Sequence, residues 1–177
     1  AFGREATTTR THLSTSVSLN TGNSYDGQGR LIRVASPEGA VSYEYDMLGR
    51  MTSTSVEEQN GPSRQTRYSY DAFGRLSRAE EDLTPLITTD ATLNTYYQYD
   101  LQGSLNRTDM PNGAVQEVRY DGMRRAIGIT TYGPDATPSY LSDNPKIAEF
   151  NYTLRSDGRR IQSIERFWKS GQASEFV

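Results

Sequence analysis

The sequence predicts an all-β protein in which antiparallel hairpin repeats form a curved or spiralling sheet, an open segment of a β-shell or tube. Three observations predict it: a seven-residue phrase recurs along the chain, each copy has the chemistry of a tight turn, and tyrosines keep a fixed phase with those turns. The copies are Tyr25-Asp26-Gly27-Gln28-Gly29-Arg30-Leu31, Tyr45-Asp46-Met47-Leu48-Gly49-Arg50-Met51, Tyr70-Asp71-Ala72-Phe73-Gly74-Arg75-Leu76, Tyr99-Asp100-Leu101-Gln102-Gly103-Ser104-Leu105, Tyr120-Asp121-Gly122-Met123-Arg124-Arg125-Ala126 and the degenerate Leu154-Arg155-Ser156-Asp157-Gly158-Arg159-Arg160. Ala1-Phe2-Gly3-Arg4 repeats Ala72-Phe73-Gly74-Arg75 and reads as the second half of a further copy. Residues 1–177 therefore read as a single array of about six to seven hairpin repeats, truncated at both ends, with no separate catalytic domain.

Each phrase is a turn for a physical reason. Asp at the first turn position accepts a hydrogen bond from the backbone two residues on, and Gly at the fourth tolerates the left-handed conformation that returns the chain to a strand. In that register Asp faces the Arg that follows the Gly. One step outward Tyr faces an apolar residue, giving Tyr25/Leu31, Tyr45/Met51, Tyr70/Leu76 and Tyr99/Leu105, each pair contributing roughly 0.2–1 kcal/mol. Tyr43, Tyr68, Tyr97 and Tyr152, two residues before a repeat position, extend the aromatic stripe on the same face.

A second turn lies between the first kind. Ser36-Pro37-Glu38-Gly39 and Met110-Pro111-Asn112-Gly113 place Pro at the second turn position and Gly at the fourth, so each unit is two strands and two turns. The intervals between repeat tyrosines, or the Leu154 that replaces one, are 20, 25, 29, 21 and 34 residues. The extra length falls at the second turn, which makes 57–64, 80–91 and 133–146 longer loops on one edge. Only 83–95 and 134–146 have room for a short helical turn. Alternation is clear in Val41, Tyr43 and Tyr45 against Ser42, Glu44 and Asp46, but Leu31 and Ile32 put apolar groups on opposite faces, so neither face reads as a pure core face.

Composition narrows the function. Net charge is −3 and there is no cysteine, which leaves no thiolate metal site and no electrostatic case for nucleic acid. No apolar run reaches membrane-spanning length, so membrane insertion is not expected. The lone histidine, His12, sits in a Thr/Ser-rich strand without a marked nucleophile or orienting acid, and no group of residues fills the roles of nucleophile, base and stabiliser. The chain reads as non-enzymatic, with no catalytic, cofactor-binding or metal-binding residue and no cofactor. Most of its arginines are accounted for by pairing with repeat aspartates. Trp168 is the candidate for stacking on a glycan, against the alternative that it packs within the sheet. Asn106-Arg107-Thr108 and Asn151-Tyr152-Thr153 match glycosylation sequons, short patterns read as accidental.

Tyr-x-Tyr-Asp-x-x-Gly-Arg-Leu, followed by a Pro-x-Gly turn and the next Tyr-x-Tyr-Asp, resembles the YD repeat of the Rhs family, shared with C components of insecticidal toxin complexes and with teneurins. The resemblance rests on Tyr25, Asp26, Gly29 and Arg30; Tyr45, Asp46, Gly49 and Arg50; Tyr70, Asp71, Gly74 and Arg75; Tyr99, Asp100 and Gly103; Tyr120 and Asp121; and Gly158 and Arg159. It implies a β-sheet spiralling into a hollow shell, enclosing a toxic domain in bacterial members and forming part of an adhesion ectodomain in teneurins. Shells of the toxin kind close with an Asp-Pro-x-Gly core and a self-cleavage site. Asp143-Asn144-Pro145 lacks the Gly, so this chain reads as wall alone.

Two functions follow from that resemblance. One is containment of a cargo or toxin polypeptide. The other is extracellular adhesion or head-to-tail self-assembly into a filament or tube, with a glycan as a possible ligand. Either context is secreted or cell-surface. Both ends of the array should expose strand edges, to be paired by flanking repeats of a parent chain or by copies of the chain itself.

Overall fold

The computed structural model describes residues 5–12, 17–82, 92–134, 144–169 and 172–176. All regular structure among them is β-strand, and they fall into two compact units, Ala1–Leu93 and Asn94–Val177. The first unit holds β1 (Glu5–His12), β2 (Val17–Tyr25), β3 (Leu31–Ser36), β4 (Gly39–Tyr45), β5 (Met51–Glu58), β6 (Arg64–Tyr70) and β7 (Leu76–Asp82). The second holds β8 (Thr92–Tyr99), which begins at the unit boundary, then β9 (Leu105–Asp109), β10 (Val115–Tyr120), β11 (Ala126–Tyr132), β12 (Lys146–Leu154), β13 (Arg160–Lys169) and β14 (Gln172–Phe176). Within each unit the strands pair antiparallel in sequence order. Residues 1–4, the loops 83–91 and 135–143 with the expected helical turns, and Asp143 lie outside the described residues, as does the side chain of His12.

Because connections alternate between the two ends of the strands, the Asp-x-x-Gly turns of a unit share one edge and the other turns share the opposite edge. The two Pro-Gly turns are built differently. Ser36 pairs directly with Gly39, leaving Pro37-Glu38 as a two-residue loop. At Met110 the loop is one residue longer, with the Gly113 N–H donating to the Met110 carbonyl at 2.9 Å and Gly113 at φ 80°.

The register pairs Tyr25 with Leu31, Tyr45 with Met51, Tyr70 with Leu76 and Tyr99 with Leu105. One step further from each turn the count slips. Ser24 pairs with Arg33, Glu44 with Ser53, Ser69 with Arg78, Gln98 with Arg107, Arg119 with Gly128 and Thr153 with Gln162. Each hairpin therefore carries a β-bulge on its returning strand, with Ile32, Thr52, Ser77, Asn106, Ile127 and Ile161 as the extra residues. A bulge unpairs one residue and increases the local twist.

The bulge changes which residues share a face, while each face stays mixed, as the sequence reading has it. An extra residue reverses the parity of alternation, so Leu31 shares a face with Val34 rather than with Arg33. In the first unit that face carries the rung Asn23-Val34-Val41-Val56-Arg64, with Tyr43, Tyr45, Tyr68 and Tyr70 as well as Thr54 and Thr66 beside it. The opposite face carries Ser24-Arg33-Ser42-Ser55 and Glu44-Ser53-Arg67-Glu80. Hydrogen bonds tie this polar face together, from Arg33 Nη1 to Ser42 Oγ at 2.8 Å and from Ser53 Oγ to Glu44 Oε2 at 2.7 Å. The second unit has Val118-Ile129-Phe150-Glu165 on one face and Glu117-Thr130-Glu149-Arg166 on the other. Phe150 and Phe167 meet edge to face at 5.6 Å. Burial is nevertheless thin. Among the described residues no large side chain is fully buried, and the buried apolar positions are Ala40, Ala114, Val115 and Ala148.

Candidate functional site

The chemistry of this chain is concentrated on the edge formed by the Asp-x-x-Gly turns. In the first of them the Gly29 N–H donates to the Asp26 carbonyl at 3.0 Å and the Asp26 N–H to the Arg30 carbonyl at 2.9 Å. The Arg30 N–H, which the turn leaves without a backbone acceptor, donates to Asp26 Oδ1 at 2.9 Å, as does the Gln28 N–H. Asp26 Oδ2 receives Arg30 Nε at 2.6 Å. Asp46, Asp71 and Asp121 repeat the pattern with Leu48 and Arg50, Phe73 and Arg75, and Met123 and Arg125. Asp100 accepts the Gln102 and Ser104 N–H groups, Ser104 standing where the arginine would be. Gly29, Gly49, Gly74, Gly103 and Gly158 all have φ between 78° and 87°.

These bonds favour the ionised form of Asp26, Asp46, Asp71 and Asp121. The Arg30 N–H, and then the guanidinium and the Gln28 N–H, keep the Asp26 carboxyl below its usual range despite partial desolvation. Asp46 is lowered in the same way by Arg50. For Asp121 the Arg125 guanidinium is the leading cause, and for Asp71 desolvation is opposed and outweighed by the N–H and guanidinium of Arg75.

The repeat arginine also reaches into the next hairpin, a contact the sequence reading did not include. Arg30 lies 4.8 Å over the Tyr45 ring and donates to the Asp46 carbonyl at 3.2 Å, and its Nη1 would be 3.8 Å from a Cβ at Gly49. Arg50 lies 4.6 Å over Tyr70 and borders Gly74. Arg125 donates to the Arg155 carbonyl at 2.9 Å and borders Gly158. Tyrosine returns the contact. Tyr45 Oη donates to the Leu31 carbonyl at 2.8 Å, Tyr70 Oη to Met51 at 2.6 Å and Tyr120 Oη to Leu105 at 2.8 Å.

Two further turns depart from the pattern. Arg124 stands at the glycine position of the fifth turn with φ 62°, the one non-glycine residue among the described residues with positive φ. In the sixth turn Arg155 replaces the aspartate, and Arg155 Nε and Arg159 Nε both approach Asp157 Oδ2, at 3.9 and 3.8 Å. Their side chains remain 61% and 81% exposed, so these ion pairs are loose. The variable turn positions also present Met47, Leu48, Phe73, Leu101 and Met123 to solvent.

Trp168 is half-buried, and Lys146 Nζ sits 5.6 Å from its ring centroid. Asn106 of the first sequon is a bulge residue with Oδ1 buried and no hydrogen-bond partner; Asn151 of the second accepts from Arg119. Among the described residues no group of three or more His, Asp or Glu side chains could hold a metal ion, and no helix is long and apolar enough to cross a membrane.

These features define a hairpin-repeat β-protein whose turns are closed by Asp and Arg and joined by Tyr and Arg. The family model described as RHS Repeat matches residues 25–60, the stretch that includes the turns at Asp26 and Asp46. The same hydrogen bonds recur at Asp71 and Asp121, outside the matched stretch. No curated protein matches the chain. The crystal structure of TcdB2-TccC3-Cdc42 superposes with a TM-score of 0.53 at 12% identity, covering 98% of this chain and 11% of that one. The crystal structure of TcdB2-TccC3-TEV gives a TM-score of 0.48 at 14% identity, over 91% and 10% of the respective chains. The chain thus spans about a tenth of the length of the solved structures it resembles, and at this identity the likeness is one of fold.

Proposed function

We propose that this chain is a non-catalytic wall segment of a YD-repeat shell, part of a secreted or cell-surface bacterial protein, and that the shell isolates a cargo polypeptide. The observation that carries the reading is the pairing of extensive strand order with an almost empty core. Both units are tied strand to strand, yet no large side chain among the described residues is fully buried. A sheet whose aromatic and aliphatic side chains stay only partly covered gains from another layer, and a shell with contents supplies one. Exposed apolar turn tips at Met47, Leu48 and Phe73 support burial against further parts of a larger protein. Flanking repeats would continue the array beyond β1 and β14. The fold likeness to TcdB2-TccC3-Cdc42, of which the chain covers a small part, agrees with a segment of a larger body.

The test is electron cryomicroscopy of the full-length parent protein together with limited proteolysis. The expected result is a closed wall containing this segment, with separate polypeptide density inside that resists protease until the wall is opened. A sheet solvated on both faces, or an interior filled only by the wall's own side chains, would refute containment.

A further inference from the structure

We propose that the edge formed by the turns at 100–104, 121–125 and 155–159 binds an anionic oligosaccharide through a cluster of arginines. The turns at 100–104, 121–125 and 155–159, with Arg160, hold five arginines, Arg124, Arg125, Arg155, Arg159 and Arg160, against three aspartates, Asp100, Asp121 and Asp157. The chain as a whole is net acidic, so this positive density is local. In the turns at Asp26, Asp46 and Asp71 one arginine is matched by one aspartate.

The excess arises by departures from the repeat, three of which point the same way. Arginine replaces the turn aspartate at 155, the glycine at 124 and the apolar partner at 160. The glycine replacement has an energetic cost, because a side chain at φ 62° is disfavoured for any L-residue. Arg125 Nη1 bonds the Arg155 carbonyl and Arg124 Nε approaches Ser104 Oγ at 3.3 Å, which makes the three turns contiguous. Arg155 and Arg159 converge on one carboxylate oxygen at distances too long for strong bonds, leaving a wide-open pair of guanidinium forks. Guanidinium forks match the oxygens of sulfate, phosphate and carboxylate groups.

The neighbouring surface favours a sugar chain over nucleic acid. Between the turns at 100–104 and 121–125 lies a shallow cleft of about 470 Å³ whose walls include Leu101, Val118, Tyr120 and Gly122, with Asp100 and Asp121, whose carboxylates accept from the turn N–H groups and, at Asp121, from Arg125. Such a cleft offers C–H surface to a sugar ring. Only one aromatic ring, Tyr120, lines the cleft, and the Tyr152 ring is covered by Arg160 at 3.7 Å, which leaves little for successive bases to stack on. Neighbouring turns lie two strand spacings apart, about 10 Å, so the cluster engages a short stretch of polymer. The net acidic remainder opposes an extended polyanion. This inference does not depend on whether the sheet encloses a cargo.

The experiment uses the full 177-residue chain in biolayer interferometry against immobilised dextran sulfate, polygalacturonate, neutral dextran and single- and double-stranded DNA. Binding to dextran sulfate or polygalacturonate, weakened by salt and absent on neutral dextran, is expected; which of the two binds assigns sulfate or carboxylate as the preferred group. The double variant Arg155→Ala, Arg159→Ala should bind about tenfold more weakly, with a slope of log affinity against log salt shallower by about two. Arg33→Ala, on the first unit where Arg33 pairs with Glu57 at 2.8 Å, should bind as the parent does. Far-UV circular dichroism establishes that each variant is folded, and Arg155→Lys, Arg159→Lys keeps the charge should the alanine pair fail to fold. Absence of binding to either anionic polysaccharide, tighter binding to DNA, or equal loss in Arg33→Ala and the double variant overturns the proposal.

Discussion

Gly27 and Gly29 stand two residues apart in one turn and differ in a single respect. A Cβ at either would meet nothing within 4 Å, but Gly29 has φ 81° whereas Gly27 is not at positive φ. Alanine at 29 must adopt the left-handed region, at a cost of about 1–2 kcal/mol, with no steric clash added. Alanine at 27 fits the existing backbone and restricts the unfolded chain, which stabilises by about 0.4–1 kcal/mol. The two variants should therefore differ by about 2 kcal/mol, with opposite signs relative to the parent. For a domain of this size that is a separation of roughly 4–8 °C in Tm. Thermal unfolding followed by far-UV circular dichroism measures it. Hydrogen exchange at the Gly29 amide, which donates to the Asp26 carbonyl, reports the local turn in case the array melts in parts. Equal shifts in the same direction, or a neutral Gly29→Ala, would refute the assignment of the turn's stability to its left-handed residue.

Arg124→Gly is the reverse exchange, expected to raise stability by about 1 kcal/mol while weakening binding to anionic polysaccharide; chemical denaturation and interferometry on the same sample read the two effects. Tyr70→Phe removes the donor to the Met51 carbonyl and should cost about 1 kcal/mol, a fall in Tm of roughly 2–4 °C, measured by calorimetry. Acid should loosen the turns selectively. Asp26, Asp46, Asp71 and Asp121 have folded pKa values below their unfolded ones, so their contribution is present above the unfolded value of about 3.9 and is lost as pH falls through the folded values. Hydrogen exchange between pH 5 and 2 should show these turns opening, and Asp46→Asn should flatten the response at its own turn.

What could be read from the residues is what they do locally. Asp26 must accept the Arg30 N–H because the left-handed Gly29 turns that group away from the Asp26 carbonyl, and this requirement is visible as Asp-x-x-Gly-Arg. The Tyr/Leu register follows from the same turn. The bulges one pair beyond the turns are not legible, since the extra residues, three isoleucines with Thr52, Ser77 and Asn106, follow no single residue type. Without the slip, Leu31 and Ile32 appear to split the apolar surface between faces. The reach of Arg30 to Tyr45 was hidden for another reason, because the interval between partners changes from repeat to repeat and only the paired strands bring them together. Arg124 shows the limit from the other side: the motif expects glycine there, and the backbone keeps the turn with an arginine in its place.

The contacts between hairpins also have a direction. Arg30 and Arg50 reach forward onto the following turn, and Tyr45 and Tyr70 reach back to a carbonyl of the preceding one. A chain synthesised from its N-terminus thus presents each emerging hairpin with a completed predecessor, whose carbonyl is in place to receive the new tyrosine and whose guanidinium can close over the new turn. Growth then resembles a zip fastener closing from one end. No step waits for a distant segment, and a fault in one hairpin is felt first by the next one to be made.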